Sequence, residues 1–317
     1  MSGWRSTADP RVSGSATGLA ERAFPLVPRR PLHGLELGPF RGVRRGVGSD
    51  PAGSRPYRPG DDVRTIDWGA SARLSAARGA VEFVVRERFA ELAPRVVLAT
   101  DRRPGMALHA PPWLPKPDVL ACAERLIADS AFRARGLVGS LHFVGDEVAW
   151  TRPTGNPRTW LTRPTATSFV AAPGSLADGI EQLGHARTLP PGSFLFVLSD
   201  FLDPVPEAAW LTAITRGWDV VPVVVQDPTW EASFPVSVGR LVLPLADPVD
   251  GRIELVRLSV EQARLRRSEH EARLAGLVGA FAELSLDTIV LHSADQDAIL
   301  TAFLDWAAAR LLPEGRL

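Results

Sequence analysis

The sequence is poor in cysteine, in lysine and in long apolar runs. Cys122 is its one cysteine, which excludes both a disulfide scaffold and a thiolate metal cage within one chain and fits a reducing compartment. Lys116 is its one lysine, so arginine carries almost all of the positive charge. No stretch reaches the roughly 18 apolar residues that span a bilayer, and Met1–Pro10 lacks the apolar core of a signal peptide. We therefore expect a cytoplasmic protein that does not insert into a membrane.

The sequence also lacks an excess of charge of either sign. Basic and acidic residues number 36 each. This balance removes the long-range positive field that a general nucleic-acid binder shows, so we expect no nucleic-acid partner and a protein partner chosen by local patches. The 317 residues, 45% of them apolar, suit one α/β domain of roughly 200 residues with an appended region.

The motifs of several enzyme classes are absent. The sequence contains no Gly-x-x-x-x-Gly-Lys phosphate loop, no Gly-x-Ser-x-Gly nucleophile elbow and no His-Glu-x-x-His metal pair. Its six histidines are scattered along the chain. We expect a protein that is not an enzyme and that carries no cofactor.

Composition divides the chain into three regions. Residues 1–37, rich in Ser, Gly, Pro and Arg, are expected to be flexible or draped over the surface. Residues 38–93 form a second region. Glycine, proline and arginine alternate there up to Gly60, which favours loops over a helix or a long strand. The alternation of Val81, Phe83 and Val85 then predicts a strand with one buried face.

The third region, residues 94–317, alternates strands with helices, which is typical of a mostly parallel sheet with helices on both faces. Strands are predicted at Val96–Thr100, Val138–Val144, Glu147–Trp150, Phe194–Ser199, Trp218–Val225, Val238–Leu243, Ile253–Val256 and Thr288–Leu291. Helices are predicted at Pro117–Arg135, Leu176–Leu183, Glu207–Thr215, Val260–Leu284 and Asp297–Leu311. Turn signals at Gly145-Asp146 and Asp250-Gly251 predict two β-hairpins, the second an insertion near 238–257. The fold class is α/β, with an N-terminal extension rich in loops and strands.

Two of the predicted strands end on an aspartate. Asp101 follows Val96–Thr100, and Asp200 follows Phe194–Ser199. Ligands of open parallel sheets bind beyond the carboxyl ends of the strands, so neighbouring strands would place both carboxylates in one cleft. Alternatively, each aspartate only caps the turn that follows it. The repetition of the same ending favours the shared cleft.

Carboxylates and arginines also interleave between Tyr57 and Arg73. Each guanidinium offers a planar fork to a carboxylate, so these side chains could saturate one another's hydrogen bonds. A catalytic role is the alternative to such an architectural network, and we favour the network. Its predicted members are Arg58, Asp61, Asp62, Arg64, Asp67 and Arg73. Trp68 is predicted to anchor this segment against the core.

Residues 59–73, Pro-Gly-Asp-Asp-Val-Arg-Thr-Ile-Asp-Trp-Gly-Ala-Ser-Ala-Arg, resemble the signature of the DUF58 family, bacterial proteins typically encoded beside MoxR-type AAA+ ATPases. The resemblance implies a von Willebrand factor A-like domain. It also implies a metal-ion-dependent adhesion site with the sequence Asp-x-Ser-x-Ser, a later Thr and a later Asp, and a MoxR-type ATPase as the partner.

The sequence departs from that metal-site pattern after Asp101. Arg103 and Gly105 stand where the resemblance implies two serines; Ser175 could replace the threonine, and Asp200 the later aspartate. Because Mg²⁺ requires near-octahedral oxygen ligation, we predict a degenerate site without a metal. Were an ion bound, Asp101, Ser175 and Asp200 would hold it. We expect Arg103 to neutralise Asp101 and Asp200 instead, and to meet an acidic residue of the partner.

The leading hypothesis is a non-enzymatic adaptor whose cleft docks a partner protein, with a MoxR-type AAA+ ATPase as the implied partner. The predicted cleft residues are Asp101, Arg102, Arg103, Ser175, Ser199 and Asp200. Two alternatives remain open. The first is a metal-dependent hydrolase or phosphoryl-transfer enzyme that uses Asp101 and Asp200. The second is a structural subunit with an inactive cleft.

Overall fold

The computed structural model describes residues 22–29, 40–59, 61–108, 112–144, 147–162, 168–186, 189–236, 239–246 and 252–312. Numbered along the chain, the strands are β1 (Phe40–Pro56), β2 (Val84–Leu92), β3 (Arg95–Thr100), β4 (Leu137–Val144), β5 (Glu147–Thr154), β6 (Phe194–Ser199), β7 (Asp219–Val225), β8 (Leu241–Ala246), β9 (Ile253–Leu258) and β10 (Ile289–Leu291). The helices are α1 (Trp68–Arg78), α2 (Lys116–Arg133), α3 (Pro157–Leu161), α4 (Ser175–Ala186), α5 (Glu207–Thr215), α6 (Val260–Glu283) and α7 (Gln296–Leu311).

Six strands form the central sheet, in the order β10-β7-β6-β3-β4-β5. All neighbours are parallel except β4 and β5, which form the antiparallel hairpin predicted around residue 145. Every residue of β6 and β7 is buried, as their nearly continuous apolar sequences require of central strands covered on both faces. The parallel order directs the carboxyl ends of β3 and β6 to the same edge.

Helices cover both faces of this sheet, and the predicted α/β class is confirmed. One face packs against α2 and α7, with Ile127 and Phe303 fully buried there. The other face packs against α4, α5 and the end of α6, with Ile180 fully buried. None of the helices in the described ranges is both long enough and apolar enough to cross a bilayer.

Part of the N-terminal region lies in the core. We expected residues 1–37 to be flexible or draped over the surface, yet Phe24 and Leu26 are each only 3% exposed. The Phe24 ring lies 4.7 Å from that of Phe303 on α7. Arg310 Nη1 donates a hydrogen bond of 2.9 Å to the Val27 carbonyl oxygen. The prediction is therefore wrong for residues 22–29, while the rest of the region lies outside the described residues.

The prediction of loops up to Gly60 is wrong for Phe40–Pro56, whereas residues 57–59 lie outside the helices and strands. β1 is a 17-residue strand that pairs antiparallel with β2, with register shifts between Arg41 and Arg45 and between Gly46 and Gly53. A glycine- and proline-rich sequence can thus remain in a ladder by interrupting it with bulges. The predicted strand with one buried face is confirmed only at Val85, which lies in β2 and is 4% exposed. It is wrong for Val81 and Phe83, which are 80% and 40% exposed and precede the strand.

The second predicted hairpin is present as β8 and β9, although its predicted turn at Asp250-Gly251 lies outside the described residues. Its Leu258 packs against Phe234, in the loop after β7, and against Ala263 of α6. This hydrophobic cluster is separate from the two large ones on the faces of the central sheet. The hairpin and the beginning of α6 therefore build a small third core of their own beside the chain that follows β7.

Candidate functional site

The two strand-end aspartates lie together, as their parallel strands predict. Thr100 of β3 pairs with Leu198 of β6, and the Asp101 backbone N–H donates to the Leu198 carbonyl oxygen at 2.8 Å. Asp101 is 1% and Asp200 3% exposed. Two buried carboxylates this close require compensating positive charge, because burial penalises the ionised form and like charges repel.

Arg103 supplies part of that charge from the turn after β3. Its Nε lies 3.0 Å from each carboxylate oxygen of Asp101, and its Nη2 lies 2.5 Å from Asp101 Oδ2 and 3.3 Å from Asp200 Oδ1. Its Nη1 lies 3.1 Å from Asp203 Oδ2. Burial alone would lower the pKa of Arg103, but the hydrogen bond and charge of Asp101, with the charges of Asp200 and Asp203, raise it above its ordinary value. The guanidinium thus bridges the two carboxylates.

Ser199 completes the contacts of Asp101. Its Oγ donates to Asp101 Oδ2 at 2.6 Å and accepts from the Phe201 backbone N–H at 3.0 Å. The serine is fully buried at the last position of β6. The hydroxyl therefore fixes the orientation of the Asp101 carboxylate through a second strand.

Lys116, which was not among the predicted site residues, supplies the second positive charge. Its side chain is 0% exposed, and its Nζ lies 2.9 Å from Asp200 Oδ2 and 2.6 Å from Glu231 Oε1. Burial would lower the pKa of Lys116, yet the two carboxylates outweigh it and raise that pKa. The usable signal in the sequence was that the sole lysine directly follows the apolar run Ala110–Pro115, at the start of a helical pattern.

The loop after β7 holds this second charge in place. Glu231 Oε2 accepts from the Asp227 backbone N–H at 2.8 Å, while an oxygen of Asp227 accepts from the Leu114 backbone N–H at 2.7 Å, two residues before Lys116. Gln226 Nε2 donates to the Asp200 carbonyl oxygen at 2.6 Å. The carboxyl ends of β3, β6 and β7 are thus joined by one buried chain of ion pairs, Arg103–Asp101/Asp200–Lys116–Glu231, which we call the ion chain.

A cation of the kind implied by the family resemblance does not fit this arrangement. Both oxygens of Asp101 accept from Arg103, while Asp200 Oδ1 accepts from the Leu202 backbone N–H at 3.0 Å and Asp200 Oδ2 from Lys116. A guanidinium and an ammonium group therefore occupy the positions from which the carboxylates would bind a metal. No group of three or more His, Cys, Asp or Glu side chains in the described ranges could hold an ion.

We expect millimolar Mg²⁺ or Mn²⁺ to leave the melting temperature of the purified protein unchanged. A ligand at a hundredfold excess over its dissociation constant would stabilise the folded state by about 2.7 kcal/mol, a shift that thermal denaturation with and without the ion detects easily. The control is Asp101→Ala. A metal-dependent rise that this variant abolishes would show that the carboxylates still bind an ion.

Of the six predicted cleft residues, four are joined by direct contacts, Asp101, Arg103, Ser199 and Asp200. The other two, Arg102 and Ser175, are placed differently. Arg102 turns away from Asp101: its Nη2 lies 2.7 Å from Glu124 Oε1 on α2, and its Cζ lies 5.1 Å from the Phe169 ring centroid. The prediction of Arg102 as a cleft residue is therefore wrong. Ser175 is buried at the first position of α4, and the loop before it lies beside the cleft, because the Ala171 backbone N–H donates to the Arg102 carbonyl oxygen at 3.0 Å.

An open cleft of about 420 Å³ lies above Arg103. Its rim carries three carboxylates, Asp178, Glu181 and Asp203. Asp203 pairs with Arg103, whereas neither Asp178 nor Glu181 forms an ion pair with another described residue. We call this recess the acidic cleft, since Arg103 is the one basic residue among its described lining residues and is itself held by aspartates.

The segment at residues 55–86 forms a smaller network than predicted, with other partners. Asp61 pairs with both Nη atoms of Arg55 at 2.7 Å, and Asp67 pairs with Arg86 Nε at 2.8 Å. Neither arginine was among the predicted members. Trp68 is 61% exposed, so the prediction that it anchors the segment against the core is wrong.

The other predicted members act through the backbone or face solvent. The Arg58 backbone N–H donates to Asp61 Oδ2 at 2.7 Å, and Asp62 accepts from the Arg64 backbone N–H at 3.0 Å. The Arg64 and Arg73 residues are exposed. The predicted network of these aspartates with Arg58, Arg64 and Arg73 is therefore wrong: Asp61 and Asp67 pair with Arg55 and Arg86 instead, and Asp62 caps a local turn.

Asp67→Ala is expected to lower the melting temperature more than Arg73→Ala does. Asp67 caps α1 by accepting from the Ala70 backbone N–H at 3.0 Å and also pairs with Arg86, whereas Arg73 is exposed on the same helix. Thermal denaturation of both variants tests this. Equal losses would show that Arg73 belongs to the network after all.

The same two aspartates predict a dependence on acid. The pKa of each carboxyl is lowered from 3.8 to about 2. The largest cause is the side-chain hydrogen bond from an arginine, Arg55 for Asp61 and Arg86 for Asp67. A pKa lowered on folding stabilises the protein above pH 3.8, and this contribution is lost as the pH falls towards 2. The stability difference between wild type and Asp61→Asn should shrink over that interval. A stability difference that does not change with pH would show that the pKa of Asp61 is not lowered on folding.

Known proteins are similar to this chain in sequence or in structure. The chain is 29% identical over 248 residues to the uncharacterized protein Rv1480 of Mycobacterium tuberculosis, covering 75% of this chain and 72% of that protein. An uncharacterized protein of Mycobacterium bovis, Mb1516, matches to the same extent. Among solved structures, the conserved hypothetical protein BatB from Bacteroides thetaiotaomicron aligns with a TM-score of 0.40 at 16% identity, covering 68% of this chain and 99% of BatB. The family model described as "Protein of unknown function DUF58" matches residues 53–275; because this is more than half of its length, the chain belongs to the DUF58 family.

Proposed function

We propose that this protein is a non-enzymatic adaptor with a von Willebrand factor A-like domain, whose acidic cleft docks a basic segment of a partner protein. A MoxR-type AAA+ ATPase is the partner that the family resemblance implies, and the cytoplasm is the compartment that fits it. The observation that carries the proposal is the ion chain. It places two protein cations where a metal-dependent cleft would need an ion.

The ion chain supports docking rather than metal-assisted chemistry. Arg103 and Lys116 satisfy the carboxylates of Asp101 and Asp200 from within the protein. The cleft therefore holds its charge pattern at any cation concentration, and no electrophilic ion is supplied to a substrate. A fixed pattern of charge is suited to recognition, because it steers encounter and selects partners by complementarity.

The sign of the charge on the rim determines the chemistry of the partner segment. We expected Arg103 to meet an acidic residue of the partner, but its nitrogens are held by Asp101, Asp200 and Asp203. Asp178 and Glu181 remain without an ion pair in the described part of the chain, and both line the acidic cleft. Arginine or lysine side chains of a partner would meet these two carboxylates, with arginine able to bind them through two parallel hydrogen bonds.

The test is binding to the MoxR-type ATPase of the same organism, measured by calorimetry for wild type and for Asp178→Asn/Glu181→Gln. We expect the double variant to bind at least about tenfold more weakly, a loss of about 1.4 kcal/mol, and the wild-type affinity to fall with added salt. Asp305→Asn is the matched control, since Asp305 is an exposed carboxylate on α7.

Unchanged affinity in the double variant would move docking away from the acidic cleft. Failure of wild type to bind the ATPase at all would contradict the proposed partner. A basic peptide array probed with wild type and the double variant would then separate a wrong partner from a wrong site.

A further inference from the structure

A second recess lies on the other side of the ion chain. It has a volume of about 510 Å³, which falls within the roughly 300–1,000 Å³ of ligand pockets. The loop after β7, the β8–β9 hairpin and α6 surround it, together with Trp113 from the segment before α2. We call it the aromatic pocket; in the described part of the chain it shares no lining residue with the acidic cleft.

Aromatic rings form one wall of this pocket. The rings of Trp113 and Trp230 lie 5.1 Å apart at 81°, and those of Trp230 and Phe234 lie 5.7 Å apart at 86°. Leu243 and Val256 of the hairpin also line the recess. Trp113 is 43% exposed, so a ring that would ordinarily be buried is left in contact with solvent. An apolar group entering here would bury these rings and gain edge-to-face contacts with them.

The charged groups of the lining differ in what they offer a ligand. Glu231 is already committed to Lys116 and to the Asp227 backbone N–H. Arg266 is exposed, with its Cζ 6.0 Å from the Phe234 ring centroid, and it forms no ion pair with another described residue. His270 lies on α6, and its Nδ1 is 2.9 Å from the Ser233 carbonyl oxygen. Because a carbonyl oxygen can only accept, Nδ1 is the donor of this hydrogen bond. The charge available to a ligand is therefore positive.

We propose that the aromatic pocket binds a ligand with an aromatic or branched apolar group next to a carboxylate. The apolar group packs against Trp113, Trp230 and Phe234, and the carboxylate pairs with the planar fork of Arg266. This chemistry has two sources, a free small carboxylic acid or an acidic residue beside an apolar one in a polypeptide. The site is separate from the proposed docking of a basic segment, and each stands or falls without the other.

The probes are N-acetyl-L-phenylalanine and N-acetyl-L-phenylalaninamide, titrated into the whole protein by calorimetry and by tryptophan fluorescence. The two share one apolar group, and only the first carries a carboxylate. We expect saturable binding of the acid at least tenfold tighter than that of the amide. Arg266→Gln should abolish this preference, while Arg264→Gln, an exposed arginine of the same helix outside the lining, should retain it.

A second variant tests the aromatic wall. Trp113→Ala, chosen because this ring is partly exposed and its removal should leave the fold intact, is expected to weaken the binding of acid and amide alike. Lack of saturable binding by the acid, equal affinity for the two probes in wild type, or an unaltered preference in Arg266→Gln would each overturn the proposal.

A third probe, the peptide acetyl-Gly-Phe-Glu-Gly-amide, separates the two sources. If it binds more tightly than the free acid, the ligand is a polypeptide segment. If it binds more weakly, the ligand is a small carboxylic acid. Since the acidic cleft is untouched by these variants, binding of the ATPase should be unchanged in Arg266→Gln, which keeps the two proposals distinguishable.

Discussion

Lys116→Met is expected to lower the free energy of unfolding by about 3–5 kcal/mol, the cost of leaving buried charges without their partner. Methionine keeps most of the length and volume of the side chain, so the loss reports charge rather than packing. The substitution leaves the carboxylates of Asp200 and Glu231 facing each other where Nζ now lies within 2.9 Å of both. Urea denaturation at pH 7 measures the effect.

Two further variants make this experiment decisive. Arg125→Met removes a cation from the exposed face of the same helix, where Arg125 is 52% exposed and pairs with Asp129 at 3.7 Å, and should change stability by less than about 1 kcal/mol. Adding Asp200→Asn and Glu231→Gln to Lys116→Met should recover part of the loss, because the stranded charges are gone. A Lys116→Met protein as stable as wild type would show that the contacts of Lys116 with Asp200 and Glu231 do not stabilise the fold.

The ion pair of Lys116 also predicts a loss of stability in alkali. The pKa of its ammonium group is raised above 10.5 in the folded protein. A group whose pKa is raised on folding contributes its full stabilisation at pH values below its pKa in the unfolded chain. This contribution is lost as the pH rises through its pKa in the folded protein. The stability difference between wild type and Lys116→Met should therefore persist up to about pH 10 and shrink above it.

Arg103→Ser is expected to lower the free energy of unfolding by about 3 kcal/mol and to weaken docking of the partner. The serine cannot reach Asp101, Asp200 and Asp203 together, so three carboxylates lose one shared cation. Arg103→Lys is the control: it keeps the positive charge and loses the planar fork, and it should fall between serine and wild type. Denaturation and partner calorimetry are measured on the same three proteins.

The same variants separate docking from a concealed metal site. Magnesium and calcium titrations of Arg103→Ser should show no binding, because Lys116 still occupies Asp200 Oδ2. A metal-dependent enzyme would behave in the opposite way, since the serine would supply a hydroxyl ligand and remove a repelling charge. Metal binding gained with docking unchanged would show that Arg103 only blocks an ion site.

The sequence contained most of the information on the central sheet. Short runs such as Phe194–Ser199 are too apolar for anything except buried strands, and they alternate with segments of helical period. Asp101 and Asp200 could be placed close to each other by the rule that parallel strands end at the same edge, although both are buried beside the acidic cleft and neither is among its described lining residues. The prediction that Arg103 neutralises Asp101 and Asp200 also agrees with the structure. The predicted contact of Arg103 with an acidic residue of a partner does not fit, because Asp203 of the same chain holds its Nη1.

The rest depended on contacts between residues far apart in the chain. Lys116 meets Glu231 across 115 positions, and no local period indicates such a pair. Asp67 pairs with Arg86, 19 residues away, and not with the arginines beside it in the sequence. The reason is that the Asp67 backbone N–H donates to the Val84 carbonyl oxygen of β2, which brings Asp67 close to Arg86 on the same strand. In β1, bulges kept glycine and proline in a strand where turn propensity alone predicted loops.

The residues that lie outside the family match complete the core of the sheet. That match ends at residue 275, inside α6, while β10 and α7 follow it and Phe24 precedes it. Phe24 and Trp306 meet the ring of Phe196 at 6.5 Å and 5.9 Å. Cutting the chain at the limits of the match would expose one face of β6 and remove the strand beside β7. The folded core therefore extends beyond the family match at residues 53–275 on both sides.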